Sequence, residues 1–128
     1  KTFSINVPSA DLVKEADYCG VISGAKADKV KACKFNVFYG KLETAPLIEQ
    51  CPINLECSVV HALELGSHIL YIGRIEEIHV SSDCLTGGQI DLDKVKPFAF
   101  VAEPAREYRA LGELKGKAFS IGLELKVK

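Results

Sequence analysis

The chain has 128 residues, 48% of them hydrophobic and 26% charged, with a formal net charge of -1, which is enough apolar material for one domain with its own core. A near-neutral balance without clustered Lys and Arg gives no electrostatic footprint for nucleic acid or an anionic membrane, and no run of about 18 apolar residues offers a membrane span. The first residues, KTFSINV, lack the basic start, apolar middle and small-residue cleavage site of a secretory signal, so the expected location is cytoplasmic.

FSINV alternates Phe3, Ile5 and Val7 against Ser4 and Asn6, the period of a half-buried strand. Pro8 ends it, and Ser9 is placed to cap a helix of about three turns that carries Leu12, Val13, Ala16 and Cys19 on one face before Gly20. VISGAKA then reads as a loop, and DKVKACK as a short second helix capped by Asp28. From Asn36 onward the helical period disappears and the chain reads as short strands between turns.

In NLECSVVHALEL, Leu55, Cys57, Val59 and Leu63 alternate with Asn54, Glu56, Ser58 and Glu64, which predicts a strand with an apolar inner and a polar outer face; His61 falls on the apolar side. ELGSH follows, with Gly66 at the first central position of a type II′ hairpin turn. The returning strand, HILYIGRIEEIHV, is apolar at four consecutive positions, Ile69 to Ile72, so both of its faces need cover. Beyond Gly73 the phase slips, as β-bulges or strong coiling would cause. His79 sits at the predicted solvent end of this strand. SSDCLTGGQIDLDKVKP reads as a loop, and PFAFVAE as another extended run. The expected fold is mainly β: a closed or nearly closed β-barrel with a few short helices.

Five cysteines, Cys19, Cys33, Cys51, Cys57 and Cys84, are odd in number and irregularly spaced, the pattern of reduced buried thiols rather than of a disulfide framework. Cys19 is either a buried helix-end residue or a reactive one. No metal site is expected, since His68 and His79 lie too far apart along one strand to share an ion. The sequence also lacks GxSxG, HExxH, GxxxxGK[ST] and GxGxxG. Two features remain. His68 follows the turn and faces Leu65, where its ring either hydrogen-bonds a ligand or is satisfied by loop carbonyls. Lys26, Lys29, Lys31 and Lys34 give the second helix a basic side, either a solvated face or, through Lys29 with Ser23, a phosphate contact.

The succession FSINVPS, ADYCGVISGAKADK, APLIEQCPINLEC, LELGSHILYIGRI and YRALGE resembles the flavin reductase-like proteins with an FMN-binding split β-barrel, and among them the flavoredoxin branch. The resemblance spans residues 1–128 as a single domain. Family members carry further strands ahead of the one matching FSINV, so it implies a barrel lacking its N-terminal strands. It also implies a homodimer that binds FMN noncovalently. The flavin would exchange electrons with NADH or NADPH, with free flavin or with a redox protein partner, as a flavoredoxin-like carrier or an NAD(P)H:flavin oxidoreductase. His68 would act near the flavin or hydride donor, with Asn6, Ser23, Lys29, Gly66 and Ser67 as cofactor contacts. Ser67 replaces the family's usual Asp in the turn. The alternative is a dimeric ligand-binding or structural barrel that keeps the fold without the cofactor.

Overall fold

The computed structural model describes residues 1–125. Its centre is a three-stranded antiparallel sheet in the order β1-β4-β5, formed by β1 (Thr2–Val7), β4 (Ile53–Glu64) and β5 (Ile69–Val80). Between β1 and β4 lie α1 (Val13–Val21), α2 (Lys29–Ala32), β2 (Val37–Phe38) and β3 (Leu47–Ile48), the two strands pairing as a small separate ladder. After β5 come β6 (Leu85–Thr86), β7 (Gln89–Ile90), α3 (Leu92–Val95), β8 (Phe98–Val101) and β9 (Glu107–Ala110), with β6 paired to β7 and β8 to β9. The fold is mainly β, as the sequence predicts. The described strands form one sheet and three two-stranded ladders and do not close into a barrel.

Local predictions hold where side chains meet their own backbone. Asp28 caps α2, its Oδ1 accepting from the Lys31 amide at 3.0 Å. Ser9 does not cap: the chain enters a 3-10 turn at Ala10–Leu12 first, the Ser9 side chain makes no capping bond, and α1 runs one residue past Gly20. The 81–97 segment is more ordered than a loop. Gly87 and Gly88, both at positive φ, turn the β6–β7 ladder, and Asp91 caps α3 through the Asp93 amide.

The phase slip in the long hairpin is real and has two parts. Register shifts between Glu56 and Cys57, and between Val59 and His61, leave Glu76 and Val60 as unmatched residues, one on each strand. Gly73 lies on β5 opposite Val59, where any Cβ would strike the Phe3 ring. Each long strand has 12 residues, about 40 Å of extended chain, so the hairpin projects far beyond β1. His61, expected from its apolar side to be a packed or interface histidine, lies on this projecting part and is exposed in the single chain.

At the start of β4 the polar side chains do not face solvent as the alternation predicts, although Cys57 is buried as expected. Asn54 and Glu56, expected outside, are buried at 4% and 0% exposure. The main chain of residues 41–48 crosses that face and hydrogen-bonds to it. Glu56 accepts from the amides of Lys41 at 3.0 Å and Leu42 at 2.5 Å, and its Oε1 lies 2.6 Å from His79 Nε2. His79, expected at a solvent end, is half-buried by this pair and packs edge-on against Phe38 at 5.8 Å. Burial pushes the Glu56 carboxyl up, but the bonds from His79, Leu42 and Lys41 outweigh it and hold the group below its ordinary 4.5. A Cβ on Gly40 would collide with the Glu56 carboxylate and His79, so glycine is needed there for close approach.

The folded state therefore binds fewer protons at Glu56 than the unfolded chain. Its contribution is complete above pH 4.5 and is lost as pH falls through the lowered folded value. In urea titrations at pH 7, Glu56→Ala is expected to cost about 3–5 kcal/mol. Glu56→Gln should cost less and flatten the loss of stability between neutral and acid pH, while Gly40→Ala should destabilise by displacing the same pair. A Glu56→Gln protein with an unchanged acid limb would show that another carboxylate controls it.

Candidate functional site

At the tip of the long hairpin, the Leu65 amide donates to the His68 carbonyl at 2.8 Å, closing a turn with Gly66 at φ 80°. A positive φ at the first central position suits glycine and matches the twist of the strands. His68 Nδ1 lies 2.7 Å from Ser67 Oγ, and both residues are exposed. This contact links serine and ring tautomer: if the hydroxyl donates to Nδ1, Nε2 carries the proton and faces outward as a donor; the reverse bond leaves Nε2 an acceptor.

The second group brackets the loop between α1 and α2. Lys29 Nζ donates to the Cys19 carbonyl at 2.6 Å, one of the last carbonyls of α1, where a cation also complements the helix dipole. An ammonium has three donors, so two remain for another acceptor. Ser23 Oγ accepts from the Ala25 amide at 3.2 Å and keeps its own hydrogen to donate. Asp28 closes the N-terminus of α2, so an anion here meets side chains rather than the helix axis.

Asn6, the third candidate, lies in the polar stripe of the sheet. Its Oδ1 accepts from the Ile48 amide at 3.1 Å and from Asn54 Nδ2 at 2.7 Å, while its Nδ2 donates to Ser4 Oγ at 3.2 Å. The structure thus gathers Gly66, Ser67 and His68 in one turn and Ser23 with Lys29 around one loop. Asn6 knits β1, β3 and β4 together. No hydrogen bond joins these three groups among the described residues.

Sequence reasoning missed an apolar recess of about 260 Å³ where the start of β1 meets β4 and β5, lined by Lys1, Thr2, Phe3, Val59 and Tyr71. The Phe3 and Tyr71 rings stand 6.5 Å apart there. Their aromatic character was legible; their meeting depends on Gly73. A larger open cleft of about 520 Å³, with Ala10, Leu92, Pro97 and Leu111 among its walls, contains none of the predicted residues. Among the described residues no three His, Cys, Asp or Glu side chains form a metal cluster, and no helix is long and apolar enough to cross a membrane.

Residues 1–95 match the family model described as flavin reductase like domain. Flavoredoxin from Methanosarcina acetivorans superposes with a TM-score of 0.88 and 38% identity, over 96% of this chain and 64% of that one. Flavoredoxin of Desulfovibrio vulgaris (Miyazaki F) gives 0.84 and 37%, over 93% and 63%. A more distant structure, nitrilotriacetate monooxygenase component B from Bacillus cereus, shares the fold with a TM-score of 0.76 at 20% identity. An uncharacterized protein of Archaeoglobus fulgidus is 35% identical over 92 residues, 71% of this chain and 51% of its own length. The chain therefore spans about half of that curated relative and under two thirds of the two flavoredoxins.

Replacing Asn6 by Ala would leave the Ile48 amide and one of the Asn54 Nδ2 hydrogens without an acceptor. We expect a loss of about 1–3 kcal/mol in urea unfolding, with retained secondary structure in circular dichroism. A change below about 0.5 kcal/mol, the usual scale of surface substitutions, would mean that water replaces those bonds.

Proposed function

The chain belongs to the flavin reductase-like family, and from that membership we propose that it serves as a flavin-dependent redox protein. In this reading it binds FMN noncovalently and passes electrons between a nicotinamide or other reduced donor and a flavin or protein acceptor. The observation that carries the proposal is the coincidence of fold and sequence with two flavoredoxins, each above one third identical over nearly the whole chain. Those relatives are longer, so the activity of the whole protein is part of the proposal, as is the reading of residues 1–128 as one domain of it.

The residues present suit such a cofactor. A phosphate needs donors, and Lys29 keeps two ammonium hydrogens while Ser23 keeps its hydroxyl hydrogen. Charge-assisted bonds of this kind are about twice as strong as neutral ones. A ring system needs an apolar wall and a few fixed polar contacts; Gly66 lets the turn backbone approach closely, and Ser67 orients the His68 ring so that Nε2 meets whatever lies over the hairpin tip. Asn6 acts here by holding the sheet floor. FMN, when bound, supplies hydride and single-electron transfer, and the protein contributes binding, orientation and proton placement.

The projecting hairpin supports a second proposal. Ile69, Leu70, Tyr71 and Ile72 are consecutive, so they point to both faces of β5, and each is 44–52% exposed. Val60, Leu63 and Ile75 add further exposed apolar side chains to the same hairpin. Apolar exposure concentrated on one element in this way favours an interaction surface. A second copy of the chain is the occupant proposed, because an isologous contact pairs one such face with itself.

Addition of FMN to the purified chain should quench flavin fluorescence and leave visible flavin absorption with the protein after desalting. A colourless protein at every FMN concentration would remove the redox reading and favour the cofactor-free barrel. Lys29→Gln should weaken FMN binding about tenfold, the loss of one charge-assisted bond worth about 1.4 kcal/mol, and His68→Ala should lower the rate of flavin reduction by NADH or NADPH. Unchanged rate and affinity would take His68 out of the site. Steady turnover with added free flavin identifies a reductase; reduction of bound flavin without turnover identifies a carrier. For assembly, sedimentation should show a dimer that Leu70→Glu converts to monomer, and a monomeric parent chain would remove that proposal.

A further inference from the structure

Cys19, near the end of α1, and Cys33, which follows α2, lie 14 positions apart in the chain with their sulfurs 3.9 Å from each other. The other three thiols, Cys51, Cys57 and Cys84, are buried, whereas these two are half-buried. An open cleft of about 340 Å³ reaches Cys33, lined by Lys14, Glu15, Tyr18, Ala32, Cys33 and Lys34. In its wall, Glu15 Oε2 is buried and has no hydrogen-bond partner, while Lys14 and Lys34 are exposed. A cleft lined by one carboxylate residue and two lysines suits a small molecule carrying both ammonium and carboxylate groups.

We propose that Cys19 and Cys33 are a reversible dithiol–disulfide couple, oxidised through this cleft by a small zwitterionic disulfide, whose cross-link ties α1 to α2 across the Ser23–Asp28 loop. Cys33, which the cleft reaches, loses its thiol proton and attacks one sulfur of the reagent. That bond breaks, one thiolate leaves, and a mixed disulfide forms on Cys33. Cys19 then loses its proton and attacks the Cys33 sulfur, expelling the second thiolate. Two electrons pass to the reagent, and its two thiolates take up the two protons. Bonding requires the sulfurs to close from 3.9 Å to about 2.05 Å.

Burial, the Cys19 hydrogen bond and the Cys19 and Glu15 charges push the Cys33 thiol up, against a smaller pull from Lys29. Cys33 is therefore mostly protonated at neutral pH, and exchange should be slow and selective, since the thiolate is the attacking form. The couple does not depend on flavin. Its consequence falls on the segment bearing Ser23 and Lys29, because the cross-link would bracket that loop at both ends.

The test is to equilibrate the full chain, without flavin, in anaerobic glutathione buffers, block remaining thiols, and map the products by intact mass and peptide mass spectrometry. The expected product is one internal disulfide between Cys19 and Cys33, returned to dithiol by reductant. Its ratio to dithiol should rise about tenfold for each tenfold rise in oxidised glutathione over reduced glutathione squared. In Cys19→Ser, glutathione should remain attached to Cys33. A cross-link involving Cys51, Cys57 or Cys84, a lasting glutathione adduct on the unaltered chain, or no oxidation at all would overturn the proposal. Should Cys19→Ser fail to fold, the mapping of the unaltered chain decides. Failure of FMN binding leaves this result untouched, so the two readings fail separately.

Discussion

A buried carboxylate organises this protein. Glu56 carries a charge on the face of a sheet where an apolar residue would ordinarily pack, and such a charge is tolerated only when it is paired and hydrogen-bonded. Two main-chain amides and His79 satisfy it, and those partners are the means by which an irregular segment is fixed to the sheet. Residues 41–48 contain too little regular structure to hold themselves, their one strand, β3, having two residues. They are held by the polar stripe beneath them. Ser4 bonds to the Pro46 carbonyl, Asn6 to the Ile48 amide and Asn54 to the Ile48 carbonyl at 3.0 Å. Side chains on one strand face thereby do for a loop what a neighbouring strand does for a strand.

This restraint reaches the candidate phosphate loop through Gln50. Its Oε1 accepts from the Asn36 amide and its Nε2 donates to the Lys34 carbonyl, both at 3.0 Å, so it imitates a strand partner for the chain leaving α2. On the other side, Tyr108 donates to Asp17 of α1 at 2.9 Å, and the Ala10 amide donates to the Lys96 carbonyl at 2.8 Å. Lys29 therefore stands on a segment anchored at both ends. The hairpin tip with His68 has a different support, the projecting strands, whose apolar residues are half-exposed.

The sequence disclosed the fold class through its strand periods, the long hairpin through Gly66, and the bulges through the spacing of Ile72, Ile75 and Ile78. It disclosed the α2 cap because Asp28 acts on its own neighbours. The error at Asn54 and Glu56 has a specific cause: alternation reports which residues are alike, and the polar set is assigned outward only because water is the usual partner of polar groups. Here the partner is the main chain of residues 41–48, and main-chain donors leave no signature in side-chain patterning. His79 was misplaced for the same reason, since its partner lies 23 positions away. Cys19 and Cys33 were read singly because no short motif links them. Their approach is set by how α1 and α2 pack, and the 3.9 Å separation follows from that packing. Of the candidate site, the Gly66–His68 turn and the Ser23–Lys29 loop were legible because each is local. The Phe3–Tyr71 recess was not, because it needs the register of β1 on β4 and β4 on β5.

Two supports for one candidate site have a mechanical consequence. A group anchored at both ends can hold a ligand with little loss of freedom on binding, which favours affinity. A turn at the end of a long ribbon is fixed only when its flanks are covered, because a two-stranded hairpin is marginally stable by itself in water. The apolar residues from Val60 to Ile75 thus bear on His68 as well as on assembly: whatever covers them also sets how firmly the histidine is held. In a dimer of this chain, the geometry at the hairpin tip would depend on subunit contact, whereas the donors at Lys29 and Ser23 would remain with the anchored loop. Under the proposed function, binding of a phosphate group and reactivity at the His68 ring would then be separable, the first resting on the folded body and the second on association.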